Sequence, residues 1–137
     1  VLARPRDPET LRAEVRDMRR RMREAHGTPD DESFHLKQDT GGIADIEFIV
    51  QYIVLRWAGD HPQLFEYTDN IRILEAAGRA GILTSGDVRL LMDAYRAYRA
   101  RVHRLALQDQ PAVVPPGEFA ELRQRVAAVW RRELETE

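Results

Sequence analysis

Leu36-Lys37-Gln38-Asp39-Thr40-Gly41-Gly42-Ile43-Ala44-Asp45-Ile46-Glu47-Phe48-Ile49-Val50-Gln51-Tyr52-Ile53-Val54-Leu55-Arg56-Trp57 is the stretch whose reading decides the fold. A pair of glycines opens a long apolar run. Advanced at about 100° per residue, the run puts Ile43, Ile46, Ile49, Val50, Ile53, Val54 and Trp57 on one broad face. Phe48 and Leu55 form a thinner second stripe. Two narrow polar stripes separate them: Glu47 with Gln51, and Asp45 with Tyr52 and Arg56. A helix apolar on nearly every side is buried. The stretch therefore predicts the central helix of a bundle, over residues 43–58. Its polar residues then need partners, because an unpaired buried charge is costly.

The chain around it has 137 residues, enough for one domain with a sizeable core. We read 1–137 as a single helical domain, with residues 1–6 as a linker remnant. The composition, 43% hydrophobic and 32% charged, leans towards amphipathic helices. A net charge of −2 supplies no global basic field for nucleic acid. The absence of cysteine excludes a disulfide framework, thiol catalysis and Cys-based zinc sites. No apolar run approaches a membrane span, and no signal peptide is visible. The first residue is Val1, which reads as a piece of something longer.

Outward from the central stretch, the signals are helical throughout. Asp7-Pro8 predicts a helix start, with Asp at the N-cap and Pro at the first helical position. That helix runs to about His26, where Gly27 can close it. Leu11, Val15, Met18 and Met22 form its apolar stripe, and Arg12, Arg16, Arg19, Arg20, Arg21 and Arg23 read as a solvated face among Glu9, Glu14, Asp17 and Glu24. Residues 27–35 are a polar loop, and Phe34–Lys37 an extended strap. Asp60–Tyr67 suggests a short helical segment. Thr68-Asp69-Asn70 then offers N-cap oxygens to a helix carrying Ile71, Ile73, Leu74, Ala77 and Ala80, stopped at Gly81. Gly78 inside it is a weakness that permits close helix contact. Thr84 followed by Asp87 resembles a capping box, opening a long helix to about Gln108 with a seam of Leu91, Tyr95, Tyr98, Val102 and Leu105. A proline-rich loop leads to a last helix, about Glu118 to Glu135, whose buried side is Phe119, Leu122, Val126, Val129 and Trp130. The expected fold is all-α: five helices plus a short one.

Little in this chain reads as an active site complete in itself. Asp45 and Glu47 point about 160° apart on a helix, so they cannot both grip one metal. Acids near a helix start are favoured by its dipole in any case. His26, His35, His61 and His103 lack metal-ligand spacing, and no nucleophile motif occurs. The Gly41-Gly42 opening is more informative, because backbone N–H groups at a helix start make a natural anion site, although a double glycine is more often only a turn. Lys37 lies just upstream. Glu47 and Gln51, one turn apart, suit a base, a ribose or another domain's side chain, or equally an interhelical hydrogen bond. On the long fourth helix Arg89, Arg96, Arg99 and His103 share a face that is either solvated or open to a phosphate or an acidic partner.

The string Lys37…Gly41-Gly42-Ile43-Ala44-Asp45-Ile46-Glu47-Phe48…Gln51 resembles a motif of the bacterial glutamine synthetase adenylyltransferases, and more distantly of the uridylyltransferases that modify the PII signal protein. The likeness continues through Gln51–Arg56, Thr68–Glu75, His103–Gln108 and, upstream, Val15–Arg19. It covers nearly the whole chain in order and favours the adenylyltransferases, most of all their extreme C-terminal end.

The resemblance implies a helical domain that follows a nucleotidyltransferase palm. Such an enzyme transfers AMP from ATP to a tyrosine of glutamine synthetase, and its other half removes it by phosphorolysis. PII and glutamine select the direction, Mg2+ assists, and the compartment is the cytoplasm. A palm of this kind carries a Gly-Ser turn and paired aspartates for two metals. Neither pattern occurs in this chain, and two-metal chemistry needs convergent carboxylates. The fragment alone is therefore expected to be inactive, with no ATP or Mg2+ bound to it and no catalytic or metal-ligating residue. Lys37, Gly41, Gly42, Asp45, Glu47 and Gln51 are expected to face the cleft shared with the palm. The competing reading is a pure interaction module that docks glutamine synthetase or PII without touching nucleotide. Nucleic acid and membrane are not expected partners.

Overall fold

The computed structural model describes residues 7–26, 33–57 and 69–135. The expectations for residues 1–6, for the cap at Gly27 and for the segment Asp60–Tyr67 lie outside these residues, as do the side chains of His26 and His61. Among these residues there are five α-helices: α1 Pro8–His26, α2 Ile43–Trp57, α3 Asn70–Arg79, α4 Ser85–Leu107 and α5 Ala120–Trp130, the last passing into a π-helical turn, Arg131–Glu135. Two short strands, β1 Phe34–His35 and β2 Val113–Val114, pair antiparallel, Phe34 opposite Val114.

The caps form where the side chains call for them. Asp7 accepts from the Thr10 backbone N–H at 3.1 Å. Asp69 caps α3 by accepting from the Ile71 N–H at 2.8 Å, and the Thr84 hydroxyl accepts from the Asp87 N–H at 3.1 Å. The carboxylate of Asp87 pairs with Arg132, which ties the start of α4 to the chain's last turn. Gly81 takes the left-handed conformation that stops α3 (φ +77°). The last helix begins two residues later than its sequence suggests, because Phe119 adopts φ 64°. The strap expected over Phe34–Lys37 is extended only at Phe34–His35, with Leu36 and Lys37 already in the turn, and its pairing with Val113-Val114 is not legible in sequence: a two-residue strand leaves no alternation to read.

α2 is the hub. It packs against α1, α3, α4 and α5. Ile46, Ile49, Val50, Tyr52 and Ile53 are buried there, against Leu11 and Val15 of α1, Leu74 of α3, Leu91 and Tyr98 of α4, and Val126 and Trp130 of α5. Fully burying each of these large side chains contributes roughly 1.5–3 kcal/mol. Phe34, Tyr98 and Phe119 meet edge to face, with centroids 5.7 and 5.3 Å apart. α1 departs from its expected stripe. Met18 is 38% exposed, and Arg19, read as part of the solvated face, is fully buried. Arg12 and Arg16 also turn inward, donating to the Glu133 and Leu134 carbonyls of the π turn at 3.2 and 2.6 Å.

Candidate functional site

The glycine turn is closed by its own protein. Gly41 N–H donates to the Asp45 carboxylate at 2.6 Å, and Gly42 N–H to the Asp39 carbonyl at 3.0 Å. Ile43 and Ala44 N–H donate to the Leu36 and Lys37 carbonyls, both at 2.9 Å. The amides at the start of α2 are thus satisfied internally. This corrects the expectation that Gly41 and Gly42 lie open to an anion. Both glycines are needed for close packing instead. At Gly41, which has φ +82°, a Cβ would lie 2.6 Å from the Arg123 carbonyl oxygen; at Gly42 it would lie 2.5 Å from that of Leu36.

Asp45 likewise departs from its expected place at a cleft. It is 1% exposed and paired with Arg19, whose Nε donates to Oδ1 at 2.5 Å. The same guanidinium donates through Nη2 to the Gln38 and Asp39 carbonyls at 2.6 and 3.3 Å. One buried cation therefore joins α1, the 36–42 turn and α2. The polar stripe of Asp45, Tyr52 and Arg56 finds its partners in this way: Arg56 donates to the Tyr52 hydroxyl at 2.7 Å.

Lys37 and Glu47 lie elsewhere. Both line an open groove of about 450 Å³ with Gln38, Arg99 and His103, over a floor of Met22, Ile43, Ala44, Val102 and Ala106. Partial burial pushes the Glu47 carboxyl up from its usual range, and the positive charges of Arg99 and Lys37 oppose that rise. The groove thus has three basic side chains and one acid around an apolar floor. Gln51 is exposed one turn beyond Glu47 and is not among the groove's lining residues, so the stripe divides: Glu47 faces the groove and Gln51 the adjoining exposed surface.

Arg99 and His103 are what sequence reading kept apart from Lys37 and Glu47. Their shared face on α4 was visible, but nothing local tells that the N-terminal half of α2 lies beside it. Among the described residues, no group of three His, Asp or Glu side chains is placed to hold a metal ion. No helix there is long and apolar enough to cross a membrane.

Comparison with known proteins gives the family of this helical chain. The profile of the family described as GlnD PII-uridylyltransferase matches residues 9–113. The chain belongs to that family. Its relatives include the bifunctional glutamine synthetase adenylyltransferase/adenylyl-removing enzyme of Thioalkalivibrio sulfidiphilus, 55% identical over 98% of this chain. The proteins of that name from Pseudomonas aeruginosa and Nitrosococcus oceani are 53% and 55% identical over 96% and 100% of it. The resemblance to the adenylyltransferases is borne out along the whole chain. The chain spans only 14% to 15% of the length of these relatives.

Proposed function

We propose that this chain is a helical domain of a glutamine synthetase adenylyltransferase and lends its Lys37–Glu47–Arg99–His103 groove to the nucleotide cleft. The palm that carries out AMP transfer lies in the part of such an enzyme that this chain does not span. The observation that carries the reading is the groove. It gathers cations from the 36–42 turn and from α4 around an apolar floor, an arrangement that suits a phosphate-bearing ligand with a flat apolar base. Lys37 and Arg99 supply the charge-assisted donors, His103 a further polar edge, and Glu47 an acceptor for a ribose or amino group. Gly41, Gly42 and Asp45 act beneath the groove, holding the turn that presents Lys37. Gln51, exposed one turn on, is available to the palm.

Among the described residues Mg2+ finds no site, because Asp45 is spent on Arg19 and Glu47 has no second carboxylate beside it to share a metal. Metal binding falls to the palm. In this reading glutamine synthetase is the protein substrate, PII a regulatory partner, and the cytoplasm the compartment.

The test is steady-state adenylylation by the intact enzyme carrying Lys37→Ala. Loss of one charge-assisted contact to nucleotide is expected to lower kcat/KM for ATP roughly tenfold or more, with the melting temperature unchanged. Unaltered kinetics would remove Lys37 from the cleft. They would favour a domain that docks its partners without touching nucleotide.

A further inference from the structure

A second hollow lies beyond Arg99, between the start of α3 and the middle of α4. Its volume is about 540 Å³, and it is lined by Asp69, Asn70, Ile71, Tyr95, Arg96 and Arg99. Tyr95 is only 7% exposed. Its hydroxyl oxygen accepts from Asn70 Nδ2 at 3.1 Å and from Arg99 Nη1 at 3.0 Å. Both acceptor positions of the phenol are thereby used, and its own proton has no acceptor among the described residues. The Arg99 guanidinium also stands 5.5 Å from the centre of the Tyr95 ring. Tyr95 thus holds the arginine through both its hydroxyl and its ring, and the remaining N–H groups of Arg99 have no hydrogen-bond partner among the described residues.

The donor count at this hollow exceeds the acceptors. Arg96, Arg99, the second Asn70 N–H and the Tyr95 O–H all supply hydrogen. The lining carboxylate, Asp69, already accepts from the Ile71 N–H as the cap of α3 and offsets one of the two guanidinium charges. Among the described residues neither Arg96 nor Arg99 has a carboxylate within ion-pair distance. Two guanidinium groups, one of them fixed by a buried tyrosine, suit a tetrahedral oxyanion, which accepts on several oxygens at once. They repel a metal cation.

The geometry points to a phosphate-binding site formed by Arg96 and Arg99 with Tyr95 and Asn70, separate from the Lys37–Glu47 groove and sharing only Arg99 with it. It takes inorganic phosphate or the phosphate of a small phosphomonoester; the hollow has room for more than the bare ion.

The measurement is a 1H–15N titration of the full 137-residue chain with inorganic phosphate and, separately, with ribose 5-phosphate, both at constant ionic strength against sodium chloride. The expected result is saturable shifts centred on Asn70, Tyr95, Arg96 and Arg99. Arg96→Gln, at an exposed position, is expected to weaken binding about tenfold, as the loss of one charged hydrogen-bond donor would. Tyr95→Phe releases Arg99 and is expected to weaken it several-fold, with helix content by circular dichroism unchanged. Arg125→Gln, an equal loss of charge on α5, leaves the affinity as it was. Tighter binding of the ester identifies a phosphomonoester as the ligand, and equal affinities identify the free ion. Chloride reproducing the shifts, or Arg96→Gln leaving the affinity unchanged, would overturn the site. Should Tyr95→Phe unfold, the Arg96 arm still decides.

Discussion

Arg19 and Asp45 are each nearly free of solvent contact and pair with one another across α1 and α2. Breaking such a pair from one side leaves an uncompensated buried charge, at a cost of about 3–5 kcal/mol. Arg19→Met is therefore expected to lower the unfolding free energy by that order in urea. A loss below about 1 kcal/mol would show that the pair is not what holds the 36–42 turn. Tyr98 gives the opposite sign. Its buried hydroxyl has no partner among the described residues, and burial pushes the phenol well above its usual range. Tyr98→Phe is expected to be neutral or to stabilise by about 1 kcal/mol in the same assay. Glu47 makes a third case. Its carboxyl is raised in the folded state above the ordinary 4.5, so the folded protein holds this proton more tightly than the unfolded chain does. Its contribution to stability is present below pH 4.5 and is lost as pH climbs through the raised value. Glu47→Gln should melt above the parent at neutral pH, with the gap closing at pH 4 or below; a gap that does not change with pH refutes this. Sequence alone showed that a charge on the apolar helix needed a partner. It did not identify Arg19, because six arginines crowd one helix, and only the path of the turn selects among them.

Among the elements, the glycine turn is the least tolerant of change. An alanine at Gly41 would combine a left-handed backbone with a Cβ 2.6 Å from a main-chain oxygen of α5, which has no side chain to swing away. Gly41→Ala is expected to cost more than about 2 kcal/mol, read from the urea midpoint. Gly78 is milder, since its neighbour is the Cγ2 of Val88 at 3.0 Å, a side-chain atom of α4. That contact is the close approach of α3 to α4 that the sequence suggested. The helices themselves were legible because caps and stops are local: Asp7, Asp69, Thr84 and Gly81 each act within a few residues. The β1–β2 pairing and the late start of α5 were not, because both depend on residues about 80 positions apart or on a single positive φ at Phe119. The sequence leaves the double glycine either an anion site or a turn, and only the fold decides for the turn, whose amides and those that follow close onto Asp45, Asp39, Leu36 and Lys37.

For the whole molecule, the resemblance and the fold agree on a helical domain, and the bundle adds what neither could show. It separates the six residues marked in the sequence into a buried scaffold (Gly41, Gly42, Asp45), two groove residues (Lys37, Glu47) and Gln51 on the adjoining exposed surface, and it brings Arg99 and His103 to the groove from α4. The linkage between layers is physical: Arg19 fixes the turn, the turn places Lys37, and α2 sets Glu47 opposite Arg99. The central claim is that nucleotide contacts this groove when the palm is present. Hydrogen exchange on the intact enzyme, with and without ATP, tests it most directly. The account predicts ATP-dependent protection in the peptides that contain Leu36–Gln38 and Arg99–Ala106. Unchanged exchange in both, at saturating ATP, would contradict it.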